Sequence, residues 1–143
     1  MRQITLSIES RLENVILIRK CIQGLCRLAP FAESIVDDLQ LCVSESINNV
    51  IEHSYQNQPG HQLSVKITLM QTQMEIEIND WGNAMPTGWL ELVPDDPVDF
   101  DPDDIDSIPT GGWGLFIIKN KMDDVAYFSE NKVNTLKLIK HFH

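Results

Sequence analysis

The segment LCVSESINNVIEHSY, residues 41–55, governs the interpretation of the whole chain, because one side of it is apolar and the other is unusually polar. At roughly 100° per residue on a helical wheel, its aliphatic side chains and those just before it fall in one narrow stripe. Glu45 and Asn49 lie on the opposite side, one turn apart, and His53 follows a turn later. The pattern predicts an amphipathic helix over residues 31–55. The stripe consists of Val36, Leu39, Val43, Ile47 and Val50.

The polar side of this helix has two interpretations. A Glu and an Asn four residues apart are more often simply a solvated surface. Composition argues against that, because Asn is a poor helix former and a solvated face gains nothing from Asn48 and Asn49 together. An amide oxygen can ligate Mg²⁺, and a carboxylate can accept a proton from a hydroxyl group. Glu45 and Asn49 are therefore candidate site residues, with the solvated face as the alternative.

Periodicity elsewhere predicts a single α+β domain over residues 1–143, a two-layer sandwich with a mixed, mostly antiparallel sheet and helices on one face. One further helix is predicted before residues 31–55, and another is predicted late in the chain. The short QTQ link, residues 71–73, predicts a hairpin between two alternating strands. The predicted strands cover 3–8, 63–70, 73–80, 125–129 and 135–142, and the two further helices cover 12–28 and 114–125.

Composition limits the class of protein and its location. The net charge of −10 argues against nonspecific binding to nucleic acid, which needs a basic surface. Three cysteines in apolar segments, an odd number without a CxxC pair, predict buried free thiols in a reducing compartment. No run approaches the length of a membrane span, and the first residues lack the apolar core of a signal peptide. We expect a cytoplasmic protein without a membrane anchor.

Two further motifs could contribute to a site. In NDWGNAMP, residues 79–86, Asp80 ends a strand and Gly82 follows in a turn. Such a pair is often only a turn, but the carboxylate could accept a hydrogen bond from the exocyclic amine of adenine. In TGGWGLFIIKN, residues 110–120, glycines precede an apolar helix and could offer backbone N–H groups to an anion. A simple turn is the alternative there as well.

Four segments together resemble the GHKL ATPase superfamily. ESINNVIEHSY, NDWGNA, GGWGL and NTLKL occur in the order and approximate spacing of its sequence boxes, and the chain is most similar to anti-sigma-factor serine/threonine kinases. The resemblance implies a Bergerat-type ATP-binding fold with a flexible lid at about residues 83–111. It also implies a homodimer that sequesters a sigma factor and phosphorylates a serine of an STAS-type antagonist protein.

The same resemblance implies roles for individual residues. Glu45 would be the base that activates the acceptor hydroxyl, and Asn49 would be the Mg²⁺ ligand that links the metal to the phosphates of ATP. The remaining implied contacts are Asp80 and Gly82 at adenine, Gly112 and Gly114 at the phosphates, and Thr135 near adenine. No role follows for His53.

One departure from the usual kinase chemistry leaves a second function open. Residues 67–118 contain no Lys or Arg, so the predicted lid offers no side-chain cation to the transferring phosphate. The acidic run over residues 95–106 would have to point away from ATP or be mobile. The alternative is a nucleotide-gated module that binds a sigma factor or an antagonist with little or no kinase activity.

Overall fold

The structure, a computed structural model, describes residues 1–92 and 112–142. Gly111, the acidic run and most of the predicted lid therefore lie outside the described residues. The described residues form three helices and five strands in the order β1, α1, α2, β2, β3, α3, β4, β5. Their bounds are β1 Arg2–Glu9, α1 Val15–Cys26, α2 Glu33–Asn49, β2 Gln62–Leu69, β3 Gln73–Asp80, α3 Gly112–Lys121, β4 Asp124–Glu130 and β5 Val133–His141. Short 3₁₀ turns cover Leu12–Asn14 and Trp89–Leu92, and a π-helical turn, Val50–Ser54, continues α2.

The five strands form one sheet in the order β1-β2-β3-β5-β4. Every pairing between these described strands is antiparallel, which makes the sheet more uniform than the mixed one predicted. The predicted hairpin of β2 and β3 is confirmed, and β4 and β5 form a second hairpin. The α+β sandwich predicted from the sequence is thus confirmed, with β5 inserted between β3 and β4.

The core lies between one face of the sheet and the helices. Alternation along the strands places a continuous aliphatic surface on that face, and the stripe of α2 packs on it within the same cluster. Leu39, Val43 and Ile47 have no exposed surface, so the predicted stripe is confirmed. α1 adds Ile18 and Ile22 to the same core. None of the helices in the described ranges is long and apolar enough to cross a membrane.

The bounds of the last helix differ from the prediction. The last helix begins at Gly112 and ends at Lys121, whereas the sequence predicted residues 114–125. It ends early because Asp123 donates its backbone N–H to Ile139 O at 3.0 Å and the chain joins the sheet, where Val125 is opposite Leu138. Ile4 lies on the same face of β1 as the buried Ile8, but it is 42% exposed because β1 is an edge strand and its outer end is poorly covered.

Candidate functional site

The polar side of α2 is covered rather than solvated. Asn49 is only 6% exposed, and Glu45, one turn earlier, is half-buried. α3 packs along α2, and its first turn lies against Glu45. The solvated-surface interpretation is therefore wrong for Asn49, and the two side chains lie at the junction of α2 and α3.

Glu45 lies against the first turn of α3. A Cβ atom placed on Gly114 would stand 2.7 Å from Glu45 Oε2, so the absence of a side chain at residue 114 makes room for the carboxylate. Burial raises the pKa of Glu45, and the negative charge of Glu52 raises it further. A carboxylate with a raised pKa is a better proton acceptor when ionised, which suits a general base.

Asn49 carries the one buried side-chain polar atom of the described residues that has no hydrogen-bond partner, its Nδ2. A buried unpaired amide group is costly, so a ligand with a hydrogen-bond acceptor, such as a phosphate oxygen, would stabilise this site. The described residues contain no cluster of three or more acidic, His or Cys ligands for a metal. The residues nevertheless fit Mg²⁺ bound together with a nucleotide, because Mg²⁺ keeps several waters and is often held by few protein groups plus substrate phosphates.

The π-helical turn after Asn49 shifts the residues that follow, so that Ser54 and not His53 is buried. In it Tyr55 donates its backbone N–H to Val50 O at 3.0 Å, one residue further back than in an α-helix. His53 is consequently exposed, and Ser54 is buried at 3%. Ser54 Oγ donates a long hydrogen bond of 3.4 Å to Asp80 Oδ2. Ser54, which the sequence did not indicate, therefore lies beside the carboxylate that is predicted to bind adenine.

Asp80 ends β3 on the side of the sheet that faces the helices and is 2% exposed. Its Oδ1 accepts hydrogen bonds from the backbone N–H of Gly82 at 3.0 Å and from Asn134 Nδ2 at 2.8 Å. Burial raises the pKa of Asp80, although these donors and Ser54 oppose the shift. A buried carboxylate with a free acceptor position suits recognition of an amino group.

Gly82 is required by close packing on the end of α2. A Cβ atom at this position would collide with the backbone oxygen of Ser54 and approach Tyr55 Cδ1 to 2.8 Å. The neighbouring N–H groups fasten the same contact: Asn83 donates to Ser54 O at 2.9 Å, and Trp81 donates to the Tyr55 hydroxyl at 2.9 Å. The turn that follows Asp80 is therefore fixed to α2, which brings the carboxylate and the α2 face into one site.

Thr135 is not brought together with Asp80. It lies opposite Asn79 and donates its hydroxyl to Asn79 Oδ1 at 2.6 Å, on the outer face of the sheet. The residue before it, Asn134, is opposite Asp80 and bonds to it. The prediction of Thr135 near adenine needs this correction, because neighbouring residues of a strand point to opposite faces. The inward alternation of Leu136 and Leu138 already contained the signal that would have selected Asn134.

Gly112 and Gly114 belong to the first turn of α3 instead of preceding it. The first N–H groups of a helix have no partner within the helix and carry its positive end, so both glycines remain candidates for contact with a phosphate. Because Glu45 lies against the same turn, a proton acceptor and an anion-binding helix end meet there.

The beginning of the predicted lid, residues 83–92, is attached to the rest of the domain. Met85 donates its backbone N–H to the Tyr127 hydroxyl at 2.8 Å, and the Trp89 ring packs edge-on against Tyr127 with centroids 5.1 Å apart. Lys119 Nζ donates to Leu90 O at 2.6 Å. A cleft of about 380 Å³ lies between this segment and β4 and reaches Ser129, beside the Asp80 cluster.

Known proteins with similar sequences include serine-protein kinases. The chain is 28% identical over 136 residues to the serine-protein kinase RsbW of Listeria monocytogenes, and the match covers 94% of this chain and 84% of that protein. The RsbW proteins of Oceanobacillus iheyensis and Bacillus cereus are 27% and 25% identical, with 85% and 94% of this chain covered and 76% and 82% of theirs.

Solved structures with the same fold include the RsbU and RsbW domains of a Mycobacterium tuberculosis protein, at a TM-score of 0.65 and 12% identity. That match covers 98% of this chain and 32% of the other. The SiaB–SiaC complex from Pseudomonas aeruginosa gives a TM-score of 0.65 at 13% identity, covering 94% and 88%. Residues 8–140 match the family described as the histidine kinase-like ATPase domain. With nearly the whole domain matched, this chain belongs to the histidine kinase-like ATPase family.

Proposed function

We propose that this protein is an ATP-dependent serine/threonine-protein kinase and an anti-sigma factor. It sequesters a sigma factor and phosphorylates a serine of an antagonist protein. The observation that carries the proposal is the junction of α2 and α3, where the half-buried Glu45 and the buried, unpaired amide of Asn49 lie one turn apart. The similarity to RsbW serine-protein kinases supports the same reaction.

In this proposal each residue has one task. Asp80 accepts a hydrogen bond from the 6-amino group of adenine, and the first turn of α3 binds phosphate oxygens through the N–H groups of Gly112 and Gly114. Asn49 would hold Mg²⁺, which would neutralise phosphate charge when bound. Glu45 accepts the proton of the serine hydroxyl as the oxygen attacks the γ-phosphorus of ATP, and the bond to the β,γ-bridging oxygen breaks.

The proposed partners are a sigma factor, an STAS-type antagonist and a second copy of the chain. A homodimer is supported by exposed apolar side chains in and beside β1 and α1, together with the unpaired edge of β1. They are Met1, Ile4, Leu12, Ile16, Leu17 and Leu28. A cytoplasmic location follows from the proposed partners and agrees with the three free cysteines.

A second candidate function is a nucleotide-gated binding module without significant kinase activity. The observation that favours it is the absence of Lys and Arg from residues 67–118, because phosphoryl transfer commonly uses a cationic side chain near the transferred group. For the kinase, the partner or Mg²⁺ would have to supply that charge.

One experiment separates the two candidates. The protein is incubated with Mg-ATP and candidate antagonist proteins, and a phosphoryl mass shift is sought on the antagonist. The kinase predicts a shift that Glu45→Gln abolishes while ATP binding persists, since only the base is lost. The binding module predicts nucleotide-dependent affinity for the antagonist with no mass shift. Transfer at the normal rate by Glu45→Gln would show that the assignment of Glu45 is wrong.

A further inference from the structure

We propose that Asn134, anchored by Ser129, is a positioning residue that holds the carboxylate of Asp80 so that only Oδ2 is left to read the nucleobase, and that this makes the site selective for 6-aminopurine nucleotides. The inference rests on the proposed ATP site. It concerns residues of β4 and β5 that the sequence did not indicate.

The hydrogen bonds of Asn134 determine the orientation of its amide. Nδ2 donates to Asp80 Oδ1 at 2.8 Å and to the backbone oxygen of Gly82 at 3.0 Å. Oδ1 accepts from Ser129 Oγ at 2.7 Å. With the amide reversed, Asn134 Oδ1 would face Asp80 Oδ1 and the backbone oxygen of Gly82, which are both acceptors. Only the observed orientation therefore satisfies these hydrogen bonds. Asn134 is 2% exposed, and its side chain is held in one position by three partners on β3, β4 and the following turn.

This network leaves the two oxygens of Asp80 in different states. Oδ1 accepts from both Asn134 Nδ2 and the Gly82 N–H, which occupies it. Oδ2 has only the long contact of 3.4 Å with Ser54 Oγ. Because Asn134 also holds Gly82 O, the carboxylate and the turn beside it form one rigid unit. The oxygen available to a ligand is therefore Oδ2, in a fixed direction.

A fixed carboxylate oxygen distinguishes purines by the group at position 6. Adenine places an amine there, which donates to Oδ2. Hypoxanthine places a carbonyl oxygen there, which Oδ2 repels, and its N1–H can be reached only if the carboxylate turns. Asn134 prevents this turn, since it would break the bond to Oδ1. A site that is built around one hydrogen bond discriminates strongly against a ligand that cannot make it.

The test compares binding of ATP and ITP, with Mg²⁺, to the full chain by calorimetry. Asn134→Ala should reduce the preference for ATP over ITP by about tenfold or more, the effect of one hydrogen bond to a charged group. Thr135→Val is the matched control: Thr135 is 6% exposed, bonds to the same strand β3, and faces away from Asp80. It should lose thermal stability but keep the wild-type ATP preference.

A second readout reports on Asp80 without nucleotide. The hydrogen bond from Asn134 lowers the pKa of Asp80, so Asn134→Ala should raise it in an NMR titration of the carboxyl carbon. If Asn134→Ala does not fold, Ser129→Ala decides, because it frees the amide without removing it. A reduced preference in that variant supports the inference, and an unchanged one overturns it.

The outcome also separates this inference from the proposed function. A wild-type protein that does not bind ATP refutes the nucleotide site and both proposals with it. A wild-type protein that prefers ATP, together with a folded Asn134→Ala variant of unchanged preference, overturns the role of Asn134 alone. Loss of preference in Thr135→Val, equal to that in Asn134→Ala, would also overturn it, since a general loss of packing would then explain both.

Discussion

Replacing Gly114 with Ala should impair phosphoryl transfer without destabilising the protein. The added Cβ would stand 2.7 Å from Glu45 Oε2, whereas ordinary contacts begin at 3.4 Å, so the carboxylate must move by about 0.7 Å. Turning the side chain off its preferred rotamer costs about 0.5–1.5 kcal/mol, and Ala favours a helix over Gly by about 1 kcal/mol. The two effects nearly cancel, so the free energy of unfolding should change little.

The catalytic effect should be larger, because a misplacement of about 1 Å can cost a factor of about 10² in rate. We expect kcat for antagonist phosphorylation to fall by roughly tenfold or more in Gly114→Ala, with the Kd for ATP little changed. Gly24→Ala is the control, since no atom lies within 4 Å of a Cβ there and the residue is in α1. It should keep kcat and gain about 0.5–1 kcal/mol of stability. A wild-type kcat in Gly114→Ala would refute the inference that the space beside Gly114 positions the Glu45 carboxylate.

Three further predictions concern burial and charge. Asp80→Asn should weaken ATP binding yet keep or raise Tm at pH 8, because the raised pKa of Asp80 means that its ionised form opposes folding. The gain in Tm should vanish in acid, below the carboxyl pKa of the unfolded chain, where Asp80 is protonated in both states. Asn49→Leu should abolish Mg-dependent ATP binding in calorimetry and leave the ligand-free protein as stable as the wild type or more stable. A decrease of more than about 2 kcal/mol in the free energy of unfolding would contradict an unpaired Nδ2. Leu17→Asp changes a side chain that is 56% exposed, and it should convert the proposed dimer to a monomer in sedimentation without lowering Tm. A dimer that persists in this variant would place the interface elsewhere.

The elements were predictable because their signals are local. The stripe of α2 and the alternation of β2 and β3 arise from side-chain spacing along a helix or strand, which any core must match. The end of α3 was misjudged because its last predicted residues, including Val125, continue an apolar pattern that fits either structure. The sheet decided the matter by pairing Val125 with Leu138.

The site was predictable in its residue types but not in its details. Glu45 and Asn49 come from one segment of the chain, Asp80 and Gly82 come from another, and their motifs identified them without knowledge of the contacts. The choice between Asn134 and Thr135 depends on which face of β5 is covered, and the resemblance selected the residue that faces outward.

The sequence by itself determined the helices and strands, the apolar face of each, and the acidic and amide groups that make up the proposed nucleotide site. Only the tertiary structure decided how those groups meet. A single π-helical turn buries Ser54 and leaves His53 exposed. Close packing at Gly82, which leaves no room for a Cβ atom, holds the turn after Asp80 against the end of α2. Such contacts join residues far apart in the chain through distances of a few ångströms, and no local periodicity encodes them.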